Sequence, residues 1–188
     1  GIAFLSDRDN NYAYCMHSSS AVLYRMELDG SGLKRLSANY LSDMAPHVMN
    51  NGKIMYCRWE YVDRFQIPCQ GLWAQNPDGT GLTHLFGNRL LSPVTISEPK
   101  SIPGTTKIIT TLTGHNGPIC GGIGVVDPSQ GAHDIHSVET ILGEMVLFER
   151  QAQRSDKQMY EFPYPINETF FLVSNTGAIE MSTFDGKD

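Results

Sequence analysis

The residues best suited to chemistry fall in two polar segments. Arg58-Trp-Glu-Tyr-Val-Asp-Arg64 gathers two guanidinium groups, two carboxylates and two aromatic rings within one short stretch. An arginine offers a planar fork of N–H donors that fits an anion or a pair of sugar hydroxyls, and a tyrosine adds a flat face with a hydroxyl. Arg58, Tyr61 and Arg64 are therefore candidate ligand-binding residues. The plainer alternative is that Asp63 and Arg64 pair with one another and brace a loop. In the second segment, Thr113-Gly-His115-Asn116-Gly-Pro118, the imidazole of His115 could bind a ligand, hold a metal or act as a base. Its plainer alternative is a hydrogen-bonded loop histidine.

Other chemistries find little support. His133 and His136 flank Asp134, but a metal site there would need further ligands. His17-Ser-Ser-Ser20 is a polar stretch without a Gly-x-Ser-x-Gly nucleophile elbow. Gly121-Gly122-Ile-Gly124 leads into a strand and suits close backbone packing better than phosphate binding. The four cysteines, Cys15, Cys57, Cys69 and Cys120, form neither CxxC nor CxxCH, so no zinc ribbon or covalent haem attachment is encoded. Cys57 and Cys69 could meet across a hairpin, which geometry decides. No catalytic residue, metal site or cofactor site is assigned. A net charge of −6 without a basic run disfavours a nucleic-acid partner, and no apolar stretch approaches the length of a membrane-spanning helix.

These segments must be positioned by repeated hairpins. Tyr24 to Leu36, with Asp29-Gly30-Ser-Gly32 at its centre, lies over Trp73 to Leu85, with Asp78-Gly79-Thr-Gly81, at an offset of 49 residues. Further copies run through Ile123 to Gly131 and Ile179 to Gly186. A second apolar run precedes each one, beginning at Ile2, Lys53, Lys107 and Phe170. Two landmarks sharing a period of about 50 residues indicate four-stranded antiparallel blades of a β-propeller. Each unit reads as strand a, turn, strand b, a long variable loop, strand c, Asp-Gly turn and strand d. The expected fold is all-β: about four blades of a larger or incomplete propeller, at about 1–40, 41–92, 93–143 and 160–188. A β-sandwich with hairpins is the alternative, although it requires no fixed period. Val138 to Leu142 reads as an outer strand d, with a connection over Gly143 to Tyr164, rather than as part of a helix. Tyr56, Trp59 and Trp73 are expected to be buried between sheets.

In this register the first blade holds strands b, c and d and the last holds a, b and c. The open edges imply contact with other blades or domains of a parent protein, or pairing with a second copy. Both ligand-binding segments then follow a strand b and face the same end of the blades.

Several strings also resemble the middle, propeller-forming domain of the hydrazine synthase alpha subunit family: Arg58 to Arg64, Gly71 to Gly81, Ile102 to Lys107, Gly122 to Pro128 and Tyr164 to Glu168. The Asp-Gly element alone is shared with TolB-type and peptidase-associated propellers. The resemblance implies the propeller fold and an extracytoplasmic location, periplasmic or secreted. It implies no chemistry here, because hydrazine synthesis uses c-type haems and this chain has no CxxCH. Two functions follow as expectations: a non-catalytic binding or scaffolding propeller of a larger bacterial protein, or an accessory propeller completing an enzyme site supplied by other domains.

Overall fold

The computed structural model describes residues 1–13, 18–60, 69–115, 117–146 and 159–185. The chain is all-β. Blade 1 comprises β1 (Ile2–Ser6), β2 (Val22–Met26) and β3 (Lys34–Arg35). Blade 2 comprises β4 (Asp43–Val48), β5 (Ile54–Glu60), β6 (Cys69–Gln75) and β7 (Thr83–Phe86). Blade 3 comprises β8 (Thr95–Ser101), β9 (Ile108–Thr113), β10 (Gly122–Val126) and β11 (Val138–Leu142). Blade 4 comprises β12 (Tyr160–Pro165), β13 (Phe170–Asn175) and β14 (Ala178–Thr183). Strands within each blade pair antiparallel with their sequence neighbours. The result is an incomplete propeller of blades.

The c–d turns form because short side chains satisfy the backbone locally. Asp29 Oδ1 accepts from the Ser31 amide at 3.0 Å and the Ser31 hydroxyl at 2.7 Å. Asp78 does the same with Thr80 at 2.9 and 2.7 Å, and Asp127 with Ser129 at 3.1 and 2.6 Å. These donors hold all three carboxyls below their ordinary range. Gly30 and Gly79 follow at φ 85° and 88°, a conformation that a β-carbon would strain.

A second repeated device lies on strand a. Ala45, Glu98 and Phe162 take φ 48°, 55° and 55°, and each stands immediately before a proline. The ladder skips at the same step in each blade, between Met44 and His47, Ser97 and Lys100, and Glu161 and Tyr164. Proline has no N–H to lose, so it suits the unpaired step of a bulge.

Adjoining blades are stitched by backbone where strand c of one begins and strand a of the next begins. The Asp43 amide donates to Ala21 O at 2.9 Å, the Gln70 amide to Val94 O at 3.3 Å, and Gly121 and Tyr160 exchange two bonds of 2.9 Å. We call this end, where the b–c connections leave, the upper end. At the lower end the blades meet through side chains. Asn50 Nδ2 donates to Ile102 O and Thr105 O, and Lys34 Nζ to Asp78 O. Cavities of about 410 and 230 Å³ lie between the turns there, one in each of the first two seams.

The core occupies the seams. Leu23 and Leu36 of blade 1 meet Ile54 and Tyr56 of blade 2. Met55, Cys57 and Leu72 meet Ile96, Ile108 and Val126 of blade 3. Ile109, Ile123 and Val125 meet Tyr160, Phe171 and Val173 of blade 4. Strands with a blade on each side carry apolar residues on both faces, so β9 is buried throughout and lacks alternation.

Three expectations change. Trp59 is 5% exposed, but Trp73 is only half-buried, because it lies beside the two-residue β3, which leaves the rim of that seam open. The b–c connection of blade 4 is a two-residue turn rather than a long loop, with Thr176 and Gly177 at φ 49° and 90°. The connection after β11 ends sooner than expected, since Tyr160–Pro165 is strand a of blade 4. On the pairing that the sequence left open, Cys57 is buried and stands opposite Leu72 in the ladder, while Cys69 stands opposite Glu60.

The glycine run packs tightly, as its sequence suggests. A β-carbon on Gly121 would stand 2.3 Å from Leu112 O, and one on Gly122 2.7 Å from the Glu144 carbonyl carbon. Gly121→Ala is expected to cost about 2–3 kcal/mol through a backbone clash, measured as a lowered urea midpoint at unchanged m-value.

Candidate functional site

The upper end of blades 2 and 3 carries the polar residues. On β5, successive side chains alternate between the blade 1 and blade 3 seams. Tyr56, Arg58 and Glu60 therefore share one face, while Cys57 and Trp59 share the other.

Arg58 is already engaged. Its side chain is 15% exposed, its Nε lies 3.0 Å from Glu60 Oε1, and its guanidinium carbon lies 5.0 Å from the centre of the Trp73 ring. The Nε–H is not aimed along the ion pair, so that attraction is coulombic rather than a directed hydrogen bond. Tyr61 and Arg64 lie outside the described residues.

His115 reaches across from blade 3 to the opposite side of β5. Its ring is tilted against Trp59 at 6.1 Å, and its Nδ1 lies 3.1 Å from Gln70 Nε2. With the amide donating to Nδ1, the ring proton sits on Nε2. Burial lowers the affinity of His115 for a second proton, so the ring is neutral near pH 7. Arg58 and His115 thus flank β5 from two sides, with Trp73 beside one and Trp59 beside the other.

Beneath them lies a polar network missing from the sequence reading. Asp43 is 1% exposed. Its Oδ2 accepts from the Leu23 amide of blade 1 at 3.1 Å, and its Oδ1 from Asn39 Nδ2 at 3.1 Å. Asn39 also donates to Trp59 O at 3.1 Å. Burial raises the Asp43 carboxyl, against the pull of hydrogen-bond donors and Arg58. Burial, reinforced by the nearby Asp43, pushes the Tyr56 hydroxyl to about 12. A signal for this network exists in the repeat. Measured from the strand-a prolines, Asp43 occupies the place held by Ile96 and Tyr160 in the next blades, so an acid stands where its counterparts are largely apolar.

A second titratable group lines the inner strands. Glu98, 4% exposed, accepts from Thr111 Oγ1 at 2.8 Å and from the Phe162 amide at 2.7 Å, tying two strand-a bulges together. Burial raises Glu98 and lowers Lys100, and each charge offsets the effect on the other. His47 is pushed down to about 4, first by burial and then by Lys100. A histidine whose folded pKa is depressed contributes fully above its unfolded pKa of 6.5, and its contribution is lost as pH falls toward 4. Asp43 and Glu98, being raised, act in the opposite sense. His47→Gln should therefore remove roughly 2 kcal/mol of destabilisation on going from pH 7 to pH 4.5, seen by comparing urea midpoints of variant and parent at both values.

Among the described residues the remaining histidines are His84, His133 and His136, and His84 stands edge-on to Trp73 with ring centres 5.3 Å apart. His133 stacks on His84 with ring centres 5.0 Å apart, and the His136 amide donates to Asp134 Oδ1 in a 3₁₀ turn. Among the described residues, no three His, Cys, Asp or Glu side chains converge as a metal site would require. No helix of the described residues is long and apolar enough to cross a membrane.

No family model matches the chain, and no curated protein matches it by sequence. Among solved structures it is similar to a chain of Kuenenia stuttgartiensis hydrazine synthase, with a TM-score of 0.66 and 17% identity. That match covers 88% of this chain and 24% of the other. At this identity the likeness establishes a related fold. The chain spans about a quarter of the length of the one it matches.

Proposed function

We propose that this chain is a non-catalytic binding or scaffolding propeller domain of a larger extracytoplasmic bacterial protein, and that its ligand surface is the upper end of blades 2 and 3. The observation that carries the reading is His115: a neutral imidazole fixed between Trp59 and Gln70, with a proton to donate from Nε2. Loops on a rigid sheet scaffold are the usual place for recognition. Arg58 contributes positive charge beside this surface, restrained by Glu60. Tyr61 and Arg64 are assigned from sequence to complete the grip on a small anion or sugar.

The test is calorimetric titration of the purified chain with acetate, phosphate and a neutral monosaccharide. One of these should bind, and His115→Ala should weaken it about tenfold, the equivalent of one hydrogen bond of about 1.4 kcal/mol. Unchanged affinity in both His115→Ala and Arg64→Ala variants overturns the assignment. A second reading, an accessory propeller of a multidomain enzyme, is favoured by the structural likeness to a hydrazine synthase chain. A CxxCH motif or hydrolase triad elsewhere in the full-length gene product would favour that reading.

A further inference from the structure

The two lower-end cavities differ in what crosses the seam beside them. In the first seam Arg25 Nη1 donates to Pro77 O at 3.4 Å and Lys34 Nζ to Asp78 O at 2.6 Å, so two long cations reach the c–d turn of blade 2. Arg25 and Lys34 stand opposite each other on β2 and β3, as Ala74 and Thr83 do on β6 and β7, 49 residues further along. The repeat therefore puts alanine and threonine where blade 1 has its struts. Ala74 is too short to cross, and Thr83 Oγ1 turns back to Gly81 O at 3.1 Å. The second seam holds the larger cavity, about 410 Å³ against 230 Å³, a size usual for small-molecule sites.

Its wall combines an apolar patch with unspent polar groups. Met49, Leu85 and Pro128 form the patch, and the first two rest on the core between blades 2 and 3. Asn50 Nδ2 donates to Ile102 O and Thr105 O, which fixes the orientation of that amide and leaves Oδ1 to accept. Asn51 is fixed the other way: its Oδ1 accepts from the Lys53 amide at 3.1 Å, leaving Nδ2 to donate. Ser101 and Thr106 complete the polar side with hydroxyls that make no hydrogen bond within the described residues, although Ser101 is only 7% exposed. Among the described residues, none that lines the cavity carries a charge.

This composition selects a class of ligand. A carboxylate or phosphate would meet no cation there, and an ammonium group no carboxylate, so either would lose hydration without a partner. A wholly apolar molecule would strip water from the amides and hydroxyls and return nothing. A neutral polyhydroxy ring has C–H groups to lay on Met49, Leu85 and Pro128, and hydroxyls that meet donors and acceptors alike. We propose that the lower cavity between blades 2 and 3 binds a neutral polyhydroxy ring of hexose or cyclitol size, at a site separate from the upper end and independent of His115.

The test is amide NMR of the isotope-labelled chain, titrated with glucose, myo-inositol and acetate. Glucose or inositol should move the amide signals of Asn50, Asn51, Thr105, Thr106 and Ser129 saturably, and acetate should not. Thr83→Lys lies at an exposed position and rebuilds the strut of the first seam, so it should weaken binding about tenfold or more. Asn51→Asp keeps the acceptor for the Lys53 amide but removes the donor, and should also cost about tenfold. His115→Ala should leave these shifts unchanged. Absence of saturable shifts with both polyols overturns the proposal, as does undiminished binding in the Thr83→Lys and Asn51→Asp variants. Equal shifts with acetate overturn the ligand class. Shifts confined to the neighbourhood of Trp59 and His115 overturn the site, because the sugar would then belong to the upper end.

Discussion

Replacing Trp59 by alanine is expected to cost about 3–5 kcal/mol of folding stability, read as a fall in the denaturant midpoint. The indole is 5% exposed and packs with Ala13 and Leu41 at the upper end of the blade 1–blade 2 region, with Met44 beside them. His115 rests on its other side. Deleting it opens a cavity and removes the wall that holds the imidazole, so ligand binding should weaken together with stability. Trp73→Ala removes the same number of atoms from a half-buried position and should cost about half as much. Equal losses for the two tryptophans would contradict the placement of β3 and the seam beside it.

Asp43→Ala should be almost as damaging, at about 3–4 kcal/mol, although it deletes only a carboxylate. The change strands the Leu23 amide, which belongs to another blade, and the Asn39 amide that also supports Trp59 O. It also removes one of the negative charges near Arg58. Asp43→Asn keeps the shape and one acceptor and should recover about half of the loss. The signature beyond stability is where protection is lost. Hydrogen exchange in the alanine variant should rise first at the Leu23 amide and along β2, before the blade 3–blade 4 seam responds.

What could be read in the sequence was whatever is decided locally. Asp29-Gly30 and Asp78-Gly79 specify their turns through contacts two residues away, so their spacing revealed the repeat and with it the all-β, bladed architecture. Ala45-Pro46, Glu98-Pro99 and Phe162-Pro163 are equally regular, but the residue before each proline differs and their separations vary, so no pattern of types exposed them. Asp43 is marked in the sequence only as an acid at a repeat position that Ile96 and Tyr160 hold in the next blades, and the pattern does not name its partner, because Leu23 comes from the preceding blade. The two sides of β5 were likewise hidden: Arg58 and Trp59 are adjacent in sequence, yet one packs against Trp73 and the other meets His115 from blade 3. Tyr61 and Arg64 fall outside the described residues, so of the expected ligand group only Arg58 and His115 have surroundings that can be described.

The stitching of the blades has a mechanical consequence. Backbone hydrogen bonds join successive blades mainly at the upper rim, with one more from the Gly87 amide of blade 2 to Ala132 O of blade 3 at 3.0 Å, while the lower rim is spanned by side-chain struts around the cavities of about 410 and 230 Å³. An assembly fastened along one edge and gapped along the other yields most easily by fanning about the fastened edge. Such a motion compresses or widens the lower gaps, changing Asn50 and Lys34 contacts, but hardly alters spacing between Trp59, Gln70 and His115. The lower gaps are thereby the compliant part of such an assembly, and the cluster of Trp59, Gln70 and His115 the stiff one.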